Sequence, residues 1–137
     1  MAGNETQLIA YQRVFLPSFW QRKNLPAGQV TPVPMDLLGM SMMGIPVPRK
    51  ASLVTASIVL SEPITAQFAR IILTRNGVET SYNTDITPAH GVHRVIEIPP
   101  GKLVAQAGDV IGLNWGSHPG LLPDGVIEMD IFLEVQF

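Results

Sequence analysis

The 137-residue chain has no cysteine. That excludes a disulfide framework, thiol nucleophiles and cysteine-based zinc sites at once. Charge is scarce as well: Asp, Glu, Lys and Arg make up 15% of the residues, against about 25% in an average soluble domain. A surface poor in charge and rich in Pro, Gly, Ser, Thr and Gln suits a chain that is partly covered by partners. No stretch approaches the ~20 apolar residues of a membrane-spanning helix. Met1–Gln7 lacks the basic-then-apolar order of a secretory signal. No membrane partner is expected. The basic residues are few and scattered, so no nucleic-acid partner is expected either.

Catalytic signatures are missing too. The sequence has no Gly-x-Ser-x-Gly elbow, no phosphate-binding glycine loop and no dinucleotide fingerprint. His90 and His93 flank Gly91-Val92 at a spacing that suits two metal ligands, with Asp85, Asp109 and Asp124 as possible thirds. A metal site needs three or four ligands with supporting contacts, and these histidines read more simply as loop residues. Ala107-Gly108-Asp109 reads as a turn in which glycine takes the positive φ and the carboxylate binds nearby amides. Glu128, Asp130 and Glu134 read as one solvated strand face rather than as an acid–base pair. The expectation is therefore no enzyme, no cofactor and no metal.

What is present is β-pattern. In Gly125–Phe137 the residues Ile127, Met129, Ile131, Leu133, Val135 and Phe137 fall on every second position. Glu128, Asp130, Glu134 and Gln136 lie between them, with Phe132 the one apolar member of that set. A period of two puts the two sets on opposite faces of a strand. One face is dry and one is acidic, and a strand this apolar is expected inside a sheet rather than at its edge.

Upstream, turn signals and short apolar runs alternate. Strands are predicted at 52–61, 67–74, 78–83, 92–98, 103–105 and 110–115. Asn76-Gly77 supplies the positive φ angles of a tight hairpin. Seven or eight short strands with no helix between them favour an antiparallel β-sandwich or jelly roll.

Residues 1–50 differ in kind. They hold Pro17, Pro26, Pro32, Pro34, Pro46 and Pro48, which forbid a long helix. Only 36–43 is helix-compatible, for one turn at best. This front carries five basic side chains against two acidic ones, while 51–137 carries four against nine. Its apolar residues need a surface to lie on, either their own domain or another subunit. The expected organisation is an extended proline-rich N-terminal arm, 1–49, followed by a β-sandwich (jelly-roll) domain, 50–137. Removing 1–48 is expected to leave that domain folded. Arg13, Phe15, Phe19, Trp20, Arg22, Lys23, Met40, Met42 and Met43 are the candidate partner-binding residues of the arm. Trp115 and Phe132 are the candidate subunit contacts, since aromatics concentrate at interface cores.

Leu103–Leu113 runs Leu-Val-Ala-Gln-Ala-Gly-Asp-Val-Ile-Gly-Leu, and a loop then leads to Gly125-Val126 and the last strand. This resembles the end of the trimeric jelly rolls of the tumour-necrosis-factor and C1q type. The resemblance implies a Gly-Asp turn between two late strands and a threefold interface on the sheet that holds the last strand. A long proline-rich arm before such a domain resembles the layout of tailed-phage capsid decoration (cement) proteins. That layout implies a homotrimer clasping the major capsid protein or other virion subunits, located in the virion and assembled in the host cytoplasm. The alternative is a carbohydrate- or receptor-binding head built around Trp115, His118 and the loop 116–125.

Overall fold

A computed structural model describes residues 13–37 and 44–137. Eleven strands follow one another: β1 (Arg13–Arg22), β2 (Val33–Pro34), β3 (Asp36–Leu37), β4 (Ile45–Pro46), β5 (Ala51–Leu60), β6 (Ala69–Arg75), β7 (Val78–Ile86), β8 (His93–Glu97), β9 (Val104–Ala105), β10 (Val110–Ser117) and β11 (Met129–Gln136). Between β7 and β8 lies one 3-10 turn, Pro88–His90. No helix among the described residues is long and apolar enough to cross a membrane.

The strands form two antiparallel sheets. Sheet A runs β3-β1-β11-β5-β8, with β9 also on β5. Sheet B runs β2-β10-β6-β7, with β4 also on β10. Only β6 and β7 are consecutive strands that hydrogen-bond to each other. Almost every other connection crosses from one sheet to the other, which is the winding of a jelly roll. The single hairpin turns at Asn76-Gly77, with φ of 53° and 76°, as its sequence predicts.

β11 sits between β1 and β5, inside the sheet as expected. Its odd series, Met129, Ile131, Leu133 and Val135, is fully buried. These side chains meet Ile71, Leu73, Ile111 and Leu113 of sheet B in one continuous core. The strand begins at Met129 rather than at Gly125. Residues 125–128 bond instead to neighbouring loops, through Gly125 N–H to Leu25 O and Leu25 N–H to Ile127 O, both at 2.9 Å.

The extended front is packed onto its own sandwich. β1 pairs with β11 from Arg13↔Gln136 to Arg22↔Met129. From Phe15↔Glu134 to Phe19↔Phe132 it advances four positions against two on β11. The excess is even, so the inward and outward faces keep their phase across the bulge. Pro17, which has no N–H to give a ladder, falls inside that irregular stretch. After β1 the chain alternates between layers, with β2 on β10, β3 on β1 and β4 on β10. Leu16, Trp20, Leu25, Met35 and Val47 are all core residues. The expectation that removing 1–48 spares the fold is therefore corrected, because those residues supply strands to both sheets and side chains to the core.

Candidate partner-binding surface

The outer face of sheet A brings together four of the sequence-predicted contact residues, Arg13, Phe15, Phe19 and Phe132. Strand register sets its rows. Phe15 lies beside Glu134 and Thr55, Phe19 beside Phe132 and Ser57, and Gln21 beside Asp130 and Val59. The Phe19 and Phe132 rings are 5.4 Å apart at 34°, a tilted aromatic pair on the solvent side of the sheet. Phe15 is 60% exposed, Val59 43% and Phe132 38%. An apolar stripe thus crosses the strands where polar side chains are the norm, bordered by the carboxylates of Asp130 and Glu134.

Those carboxylates differ in their contacts. Glu134 accepts a hydrogen bond from Thr55 Oγ1 at 3.2 Å. Asp130 has one buried oxygen, Oδ1, with no hydrogen-bond partner. At the end of the strand Gln21 Nε2 donates to Glu128 Oε1. Arg13, at the other end, donates from Nε to Gln136 Oε1 at 3.2 Å.

Other expected contact residues lie elsewhere. Trp20 and Trp115 point inward, 0% and 3% exposed, with no surface left for a partner. For these two the expectation is corrected. Each sits on the inward phase of its strand, and the sandwich needs large side chains to fill the space between its sheets. Arg22 also lies on the inward side of β1, its guanidinium 5.0 Å from the Trp115 ring centroid, with Nε buried and unpaired. Lys23 is exposed just beyond β1. Met40, Met42 and Met43 lie outside the described residues. Val59 was not singled out from sequence; its register opposite Asp130 is what adds it to the face.

The groups weighed for chemistry are engaged in structural bonds. Asp109 accepts the Gln106 N–H at 2.9 Å and the Asn76 side-chain amide at 3.1 Å. The Gln106 bond first, then the Asn76 bond, hold its carboxyl below the usual range, and the positive field of Arg75 adds to them. Asn76 Oδ1 in turn accepts the Val110 N–H at 2.8 Å. The Gly-Asp turn thereby fastens the hairpin of sheet B to β10, and Gly108 has the positive φ, 86°, expected of it.

His90 Nδ1 accepts the Thr87 N–H at 3.0 Å within the 3-10 turn. Among the described residues, no three His, Asp or Glu side chains are grouped so as to hold a metal ion. Ser117 Oγ donates to Pro26 O at 2.6 Å and accepts the Gln29 N–H at 3.0 Å. His118 lines a cleft of about 150 Å³ with Phe68 and Arg70. With Trp115 buried, that cleft lacks the exposed tryptophan on which the carbohydrate alternative relied.

Comparison with known proteins agrees with this architecture. The fold matches a chain in the acid-stable capsid structure of Helicobacter pylori bacteriophage KHP30. The TM-score is 0.53 at 11% identity, over 92% of each chain. At that identity the likeness is one of fold. A second match, in the virus-like particle of the extra small virus of the prawn Macrobrachium rosenbergii, covers 93% of this chain and 79% of that one at 11% identity. Its TM-score of 0.34 is too low to support an argument. No protein-family model matches the chain, and no curated protein matches it in sequence.

Proposed function

We propose that this protein is a structural subunit of a virion, a decoration (cement) protein that stabilises an assembled shell. In this reading copies associate through the outer face of sheet A, as a homotrimer, and the assembly binds the major capsid protein or another virion subunit. The observation that carries the reading is the stripe of Phe15, Phe19, Phe132 and Val59 on a sheet face whose other outward residues are mostly polar. The match to a phage capsid chain over nearly the whole length of both supports it. No chemistry is required of the protein. A subunit that binds only the assembled shell stabilises it by mass action, by about 2.7 kcal/mol at 100 times its dissociation constant.

The test is mass in solution, by analytical ultracentrifugation, for the natural chain and for Phe132→Glu. The natural chain is expected to sediment as a trimer. Phe132→Glu, which adds a charge at the centre of the stripe while sparing the core, is expected to sediment as a folded monomer. Equal masses for the two proteins would refute the assignment of this face. The virion reading has its own test. Mass spectrometry of purified particles should find the chain in amounts comparable to the shell subunit, and its absence from them would refute the reading.

A further inference from the structure

We propose that the corner of the molecule around Lys50 and the Pro99–Lys102 turn is a docking surface for an acidic segment of a partner protein. Four exposed cations meet there: Arg13, Arg49, Lys50 and Lys102. Arg13 is held by Gln136, and the Arg49 guanidinium lies 4.6 Å from the centroid of the Phe137 ring. Lys50 lines a cleft of about 240 Å³ together with Ser52, Val104 and Phe137. The Gly101 N–H donates to Ser52 Oγ at 3.1 Å, which brings the Lys102 turn beside that cleft. Across Pro99-Pro100 lies a second cleft of about 370 Å³, lined by Arg13, Val54 and Ile98.

Among the described residues, none of the four cations is in an ion pair with a carboxylate. Among the described residues the only such pair is Arg70–Asp85, at 2.7 Å on the other sheet. Glu97 is the one Asp or Glu lining the two clefts. Nearby Arg75 is different. It donates to Val104 O at 2.8 Å and its field already acts on Asp109. Arg13 and Arg49 are positioned by an amide and an aromatic ring, which leave their charge uncompensated. A carboxylate brought by a partner gains charge-assisted bonds there without displacing an internal one.

The surroundings favour a peptide over a nucleic acid. Both clefts have apolar floors, from Val54 and Ile98 in one and from Val104 and Phe137 in the other. Lys50 lines one hollow, Arg13 a second and Lys102 a third beside Glu79, instead of forming the continuous stripe that tracks a phosphate backbone. Arg13 is shared with the outer face of sheet A, whereas Arg49, Lys50 and Lys102 lie outside its strands.

The experiment is fluorescence anisotropy with a short labelled poly-L-glutamate, alongside single-stranded oligothymidylate and phosphatidylglycerol vesicles as competitors. The natural chain is expected to bind poly-L-glutamate most tightly of the three, and more weakly as salt is raised. The double variant Arg49→Glu/Lys50→Glu is expected to lose at least ~10-fold in affinity. Arg70→Gln, which alters an exposed arginine on sheet B, is expected to lose little. Equal losses in the two variants, tighter binding of the nucleotide or the vesicle, or binding of none of the three would overturn the proposal. Sedimentation of Arg49→Glu/Lys50→Glu is expected to match the natural chain, which separates failure here from failure of the association through sheet A.

Discussion

Trp20 offers the sharpest measure of how far the extended front belongs to the sandwich. Its side chain is fully buried in the core, and its Nε1 has no hydrogen-bond partner. Truncation in Trp20→Ala removes a large volume from a close-packed interior, and such changes cost about 3–5 kcal/mol. That is a large share of the roughly 5–15 kcal/mol by which a domain is stable. Trp20→Phe sets two terms against each other. The smaller ring leaves a void worth about 1–3 kcal/mol, while loss of the unpaired N–H removes a desolvation penalty of similar size. A net change within about 1.5 kcal/mol is expected.

Urea unfolding followed by tryptophan fluorescence, with Trp115 as the remaining reporter, reads both variants at one fixed protein concentration. A loss below about 1 kcal/mol in Trp20→Ala would refute the packing of β1 into the core. A Trp20→Phe cost equal to that of Trp20→Ala would instead refute the offset between void and desolvation, and would mean that the buried indole nitrogen has a hydrogen-bond partner. Truncation gives the same answer by another route. Removing residues 1–12 should leave a cooperative transition, whereas removing 1–37 strips β1 from β11 and should abolish it. A cooperative transition in the longer truncation would show that β5, not β1, suffices to hold β11.

Two further outcomes are expected. Gly44→Ala should destabilise by about 3 kcal/mol or more in thermal melts, because the added methyl would lie 2.0 Å from the backbone oxygen of Ile111; a near-neutral result would mean that the 44–47 segment does not lie on β10. Asp109 has a folded-state carboxyl pKa below its unfolded value. Its contribution is therefore present above the unfolded value of about 3.9 and is lost as pH falls through the lower folded value. Asp109→Asn should show a shallower loss of melting temperature below about pH 4 than the natural chain; parallel acid curves would remove the turn from the stability argument.

The second half of the chain was legible because its signals are local. Alternation along β11, the Asn76-Gly77 hairpin and the Gly108-Asp109 turn each need only neighbouring residues to be read, and each is where the sequence put it. β1 was not legible as a strand. Its inward residues Leu16 and Trp20 lie four apart, because the bulge between Phe15 and Phe19 advances four positions against two. A pattern interrupted in this way reads as irregular until its partner strand is known. Trp20 and Trp115 were misassigned for a related reason: composition says that an aromatic wants a cover, and only the pairing register says which face supplies it. Phe132 was readable as an anomaly among carboxylates, but its neighbour Phe19 on the same face emerged only from the β1–β11 register.

The place of β11 also has a temporal meaning. It fills the slot between β1, near the start of the chain, and β5, in its middle, pairing Arg13 with Gln136 and Ser52 with the same residue. During synthesis that slot stands empty until residues 129–136 have left the ribosome, so the β3-β1 and β5-β8 parts of sheet A are joined late, through contacts of the longest range among the described residues. The Phe15–Phe19–Phe132 stripe does not exist on any shorter nascent chain. Under the proposed function, association through that face is deferred until the sandwich has closed, which would keep half-made copies from joining an assembly.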